Sequence, residues 1–105
     1  AMATHAVTVA RIYLREGEHR LAKVLDFLHA QEKVAGVTVL RGIAGFGPDG
    51  RLHTASLVDL SLDLPLIVEF YDEPERVAAI LGRLEDIIPL PHVISWQATL
   101  HRHGG

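Results

Sequence analysis

Leu64-Pro-Leu-Ile-Val-Glu-Phe-Tyr71, running straight into Asp72-Glu73-Pro74-Glu75, is the stretch on which the fold turns. Its first half is a β-branched and aromatic run that reads as a strand, with Pro65 tolerable at the start. Its second half is a helix opening. Asp72 can cap, Pro74 suits the first turn, and Glu75 stands three residues after the cap beside the positive helix end. Val77, Ile80, Leu81, Leu84 and Ile88 then continue an apolar helical stripe, which Pro89 stops.

The same succession of strand and helix occurs upstream. Residues 6–15 form a first strand that ends at Gly17. From Arg20 the period changes, and Leu21, Val24, Leu25 and Leu28 lie on one face of a helix running to about Val34, with Gly36 as its C-terminal stop. Residues 37–43 read as a short second strand. At the far end, Ile94, Trp96, Ala98 and Leu100 alternate with Ser95, Gln97, Thr99 and His101, the cleanest period-two signal in the chain. The order β-α-β-β-α-β predicts an α+β, ferredoxin-like sandwich: a four-stranded antiparallel sheet with two helices on one face and a long loop between the second and third strands.

That architecture leaves one sheet face without helices. Parity predicts that Ala10, Ile12 and Leu14, then Leu66, Val68 and Phe70, and in the last strand Ile94, Trp96, Ala98 and Leu100, all face the helices. The alternates Val7, Val9, Arg11, Tyr13, Ile67, Glu69 and Tyr71 are half apolar, and an apolar sheet face of that kind marks an interface. An oligomer is therefore expected, with Arg11 and Glu69 either a partly buried ion pair beside the contact or two solvated charges on an open sheet.

The 105 residues are one domain's worth of chain, and 49% hydrophobic content rules out disorder. Residues 1–5 are expected to be a disordered N-terminus, with Ala1 an expression remnant, and 6–103 a single domain. There is no cysteine, which removes disulfides, thiolate metal sites and cysteine nucleophiles. A formal net charge of −3 argues against nucleic acid and membrane surfaces as partners. No secretory leader or membrane-length apolar run is present, so a cytoplasmic location is expected.

The chemistry-bearing stretch is Arg41-Gly-Ile-Ala-Gly-Phe-Gly-Pro-Asp-Gly50, leading into Arg51-Leu-His-Thr54. Gly42, Gly45, Gly47 and Gly50 are closely spaced, and successive backbone N–H groups at glycines can form an anion cradle. Arg41 and Arg51 bracket the run with forks suited to phosphate or carboxylate. His53, Thr54 and Ser56 add donors. Neither the phosphate-loop lysine nor a helix opening at the last glycine is present, and Pro48-Asp49-Gly50 reads as a turn. Composition alone leaves two readings open: an anion site, or a hairpin extension whose glycines only punctuate turns.

Elsewhere the signals are thinner. His101 and His103, with His92, allow a metal site to be drawn at a strand end, although no carboxylate stands by to orient them. Asp59 and Asp63 read as a solvated loop edge. No nucleophile elbow or other catalytic motif is present.

Thr38-Val-Leu-Arg-Gly-Ile-Ala-Gly-Phe-Gly47, with Arg51-Leu-His-Thr54 and Asp63-Leu-Pro65, closely resembles a bacterial and archaeal family of PII-like proteins known as domain of unknown function 190. The resemblance covers nearly the whole chain and implies a non-enzymatic homotrimer with its open sheet faces packed around a threefold axis. In the wider PII superfamily, clefts between subunits bind adenine nucleotides or related small effectors. The long loop then engages a target, often a membrane transporter or an enzyme. Carried over by position, Arg41, Gly42, Gly45, Gly47, Arg51, His53 and Thr54 are the implied ligand-binding residues. Arg102 is placed to reach a neighbouring subunit's ligand. No metal and no bound cofactor beyond an adenine-nucleotide effector are implied. The turn Ile88-Pro-Leu-Pro-His92 lacks the glycine and lysine with which PII proteins hold phosphates, and residues 44–63 contain no tyrosine for nucleotidylation. Two other readings compete: a metal-binding trimer resembling the divalent-cation tolerance proteins, and a small ferredoxin-like enzyme using the open face.

Overall fold

The computed structural model describes residues 2–46, 50–51, 53–54, 64–90 and 92–103. Strand β1 spans Met2–Arg15 and turns through Glu16–Glu18 into helix α1, Leu21–Asp26, which a wider π-type turn extends over Phe27–Gln31. Strand β2, Gly36–Arg41, is followed by two short strands, β3 (Ala44–Gly45) and β4 (His53–Thr54). Strand β5, Pro65–Asp72, helix α2, Pro74–Ile87, and strand β6, Val93–His103, complete the chain.

The main sheet has the order β2-β5-β1-β6, antiparallel throughout, which is the ferredoxin-like arrangement. One face of it carries the core. Ala10, Ile12, Val68 and Phe70 are fully buried against Val24 and Leu28 from the first helical segment and Ile80 and Leu84 from α2. The predicted inward sets of the first and third strands are thus in place.

The last strand is a correction. Register pairs Ile94 with Arg11, Trp96 with Val9 and Ala98 with Val7. Cross-strand partners share a face, so Ile94, Trp96, Ala98 and Leu100 lie on the open face, away from the helices. Ile94 is 50% and Trp96 41% exposed. The helix-side positions of β6 are Val93, Ser95 and Gln97, partners of Ile12, Ala10 and Thr8.

The N-terminus is a second correction. Residues 2–5 are not disordered: Met2 pairs with His103 and His5 with Leu100. These outer parts of β1 and β6 form a two-stranded arm beyond the rest of the sheet. The radius of gyration is accordingly 15.5 Å and the long axis 50 Å, against about 13 Å expected for the radius of a compact chain of this length.

Gly36 is a third. The helical segment ends at Gln31, and just beyond its cap Lys33 takes the left-handed conformation (φ 51°) while the Val34 N–H donates to the Leu28 carbonyl at 3.1 Å, a closing pattern typical of helix C-termini. Gly36 instead opens β2 opposite Tyr71, whose ring occupies the space a side chain would need.

At the start of α2 the cap residue is Glu73, with Pro74 in the first turn. Asp72 works across elements instead. Its carboxylate accepts from the Glu73 N–H at 2.8 Å and the Ala35 N–H at 3.1 Å, and lies 3.4 Å from Arg76. Arg83 grips Glu32 with two hydrogen bonds of 2.7 Å, while Arg76 donates to the Glu32 carbonyl at 2.6 Å. Together these contacts tie the end of the first helical segment to α2.

Candidate functional site

The long connection leaves the sheet as a hairpin. β3 and β4 pair Gly45 with His53 and Ala44 with Thr54, so three predicted site residues, Gly45, His53 and Thr54, share one two-stranded pairing that begins just beyond β2 in the chain. Arg41 and Gly42 lie at the base, where the Gly42 N–H donates to the Pro65 carbonyl at 2.8 Å. A Cβ at Gly42 would stand 3.2 Å from Pro65 Cβ, and one at Gly45 would stand 3.1 Å from Pro65 Cγ. Both glycines therefore have a packing reason: the loop base folds closely over Pro65. Gly50 has φ +72° with open space around it, as a turn requires. Gly47, Asp59, Asp63 and Ser56 lie outside the described residues.

Arg41 is engaged within the chain. Its Nε donates to Glu16 Oε1 and its Nη2 to Glu16 Oε2 at 3.1 Å, a two-point fork on a planar carboxylate. The Glu16 hydrogen bonds raise the Arg41 pKa above its ordinary value. Sequence reading missed Glu16 because the contact joins the turn after β1 to the end of β2, 25 positions apart. The Glu16 N–H also donates to the Leu64 carbonyl at 3.0 Å. One residue thereby touches both the entry and the exit of the long loop.

Arg102 lies elsewhere. It pairs with Ala3 on the arm, whereas Arg41 pairs with Leu66, itself opposite Leu14. Ala3 and Leu14 are about 36 Å apart along β1 at 3.3 Å per residue. Within one chain the loop base and Arg102 cannot share a ligand.

The open face has its own arrangement. Arg11 Nε donates to Glu69 Oε1 at 2.8 Å, and the guanidinium lies 5.7 Å from the Trp96 ring centroid. The Glu69 hydrogen bond raises the Arg11 pKa, with a smaller contribution from Tyr13. Tyr13 stacks on His92 at 5.2 Å. His92 thus sits at one end of β6 and His101 and His103 at the other, so the three do not converge. Among the described residues no group of three histidines or carboxylates has metal-holding geometry, and no polar or charged side chain is buried. No helix among them is long and apolar enough to cross a membrane.

A groove of about 590 Å³ lies between the end of the first helical segment and β2, lined mainly by Leu25, Leu28, Val34, Val37 and Val39. None of the predicted site residues lines it.

Comparison with known proteins follows the fold. CPII bound to ADP and bicarbonate, from Thiomonas intermedia K12, matches with a TM-score of 0.62 over 96% of this chain and 92% of that one, at 16% identity. A putative PII-like signaling protein from Thermus thermophilus matches with a TM-score of 0.56 over 95% of this chain and 92% of that one, at 19% identity. At such identities the likeness is one of fold, and the fold is PII-like. A UPF0166 protein of Methanocaldococcus jannaschii is 32% identical over 84 residues, covering 76% of this chain and 77% of its own. The model of the family described as "Uncharacterized ACR" matches residues 7–100, and the chain belongs to that family, DUF190.

Proposed function

We propose that this protein is a PII-like regulator that binds a small anionic effector, an adenine nucleotide, in clefts between identical copies and signals to a partner protein through the 42–63 loop. The observation that carries the reading is the separation of the candidate residues. Arg41 with the loop base and Arg102 sit at opposite ends of β1, so one cleft can use both only if they come from different copies. The open face supports such assembly. Ile94 and Trp96 are exposed there on one edge and Leu40 on the other, flanking the half-buried Arg11–Glu69 pair. The relatives in fold add the ligand class, since CPII is described as bound to ADP and AMP as well as bicarbonate. Arg51, His53 and Thr54 on the return leg would complete the cleft.

The mechanism is a population shift. An effector that binds one loop arrangement better than another changes the fraction of protein able to meet the partner. A full reversal from 1:99 to 99:1 needs about 5.5 kcal/mol of differential binding.

Isothermal titration with ADP, AMP and ATP tests this on the wild type and on Arg41→Ala and Arg102→Ala. The expected result is saturable binding of a nucleotide, weakened at least tenfold in either variant. Because each cleft takes one arginine from each copy, mixing the two variants and reassembling them restores binding in part. Absence of binding by every nucleotide contradicts the reading.

A further inference from the structure

Glu16 is the only carboxylate that the described contacts place on Arg41, and it does so through both oxygens. Its backbone holds Leu64 at the other end of the loop. The surroundings are cationic. Arg15 and Arg20 each approach Glu18 at 3.9 Å beside the same turn, so three guanidinium groups gather around two carboxylates. Freeing Arg41 from Glu16 would leave a fork already oriented for two oxygens in one plane, in a locally positive setting.

We infer that Glu16 is the built-in occupant of the anion site on Arg41, and that a planar two-oxygen anion, a carboxylate or bicarbonate, displaces it as a second ligand of the cleft beside the nucleotide. This rests on the effector reading above and assigns one subsite of that cleft. The exchange swaps one two-point ion pair for another. No bond is made or broken covalently, and the Glu16 carboxylate passes to water. Its consequence is mechanical. While Glu16 holds Arg41 and Leu64 together, the two legs of the loop are fastened to the turn after β1. When the anion takes Arg41, the turn after β1 keeps only its Leu64 link, and the entry leg is held by the Gly42–Pro65 hydrogen bond and the β2–β5 pairing alone. The anion is thereby coupled to the base of the loop.

The pair is exposed on the arginine side, so Glu16 is a modest competitor and its removal tightens anion binding by about two- to fivefold. The test is an amide NMR titration of the full-length chain at mildly alkaline pH with bicarbonate, acetate and inorganic phosphate as separate probes. Wild type, Glu16→Gln, Glu18→Gln and Arg41→Ala are compared. In wild type, bicarbonate and acetate are expected to shift the Glu16 and Gly42 amides. Glu16→Gln tightens both, Glu18→Gln has a smaller effect, and Arg41→Ala abolishes the response. Equal tightening in Glu18→Gln would reduce the effect to general charge and overturn the competitor role. Unchanged affinity in Glu16→Gln would overturn it as well, and tighter binding of phosphate than of bicarbonate would overturn the planar-anion assignment. If ADP binds but neither planar anion reaches Arg41, this inference fails and the nucleotide reading stands. If the anions exchange with Glu16 but no nucleotide binds, the reverse holds.

Discussion

A methyl group added at Gly36 would lie 2.8 Å from Tyr71 Cζ, whereas one added at Gly82, on the exposed face of α2, would meet nothing within 4 Å. Gly36→Ala must therefore push an aromatic ring out of its seat, at a cost of about 1–3 kcal/mol. Gly82→Ala removes a flexible residue from a helix interior and is expected to stabilise by about 0.5–1 kcal/mol. Urea unfolding of the two variants should move the midpoint in opposite directions. The contrast also shows what the sequence could and could not convey. Gly36 looked like a helix stop because glycine after an apolar stripe usually is one. Its real partner, Tyr71, is 35 positions away and enters only through strand register. Glu16 was invisible for the same reason. Arg11 and Glu69 were legible because two alternating strands placed them on one face, and pairing needed only their being adjacent.

Among the elements, β6 is the instructive one. Its alternation revealed a strand and two distinct faces, yet polarity alone assigned the faces wrongly. The apolar positions lie on the side without helices, and Ser95 and Gln97 are on the helix side. In the assembly proposed above, that apolar side of β6 is covered by another copy of the chain. The connection between α2 and the first helical segment carries a different prediction. The hydrogen bonds from Arg83, with added attraction to Arg83 and Arg76, hold the Glu32 carboxyl below its ordinary value of 4.5, against a smaller opposing effect of burial. A carboxyl lowered in the folded state stabilises above its unfolded value, and that contribution is lost as pH falls through the folded one. The stability difference between wild type and Glu32→Gln should accordingly be present at neutral pH and fade as pH drops below 4.5. Chemical unfolding across that range measures it. A difference that grew on acidification would contradict the sign of the shift.

For the whole molecule, the elongated shape and the bare sheet belong to one argument. A two-stranded arm is marginal alone in water, and an apolar face bearing Trp96, Ile94, Val9 and Ile67 is poorly suited to remaining wet. Packing three copies face to face would cover the sheet and bring the arm, with Arg102, towards the loop base of another copy. Trp96→Glu should then give a folded monomer, with secondary structure kept because Trp96 lies on the sheet face away from the helices, and with nucleotide binding lost. Circular dichroism read beside binding separates that outcome from simple unfolding. The most direct measurement is native mass spectrometry of the wild-type protein in dilute buffer. The account predicts a species at three times the 11.5 kDa chain mass, carrying small-molecule adducts when ADP is added; a single-chain species with no higher assembly would contradict it.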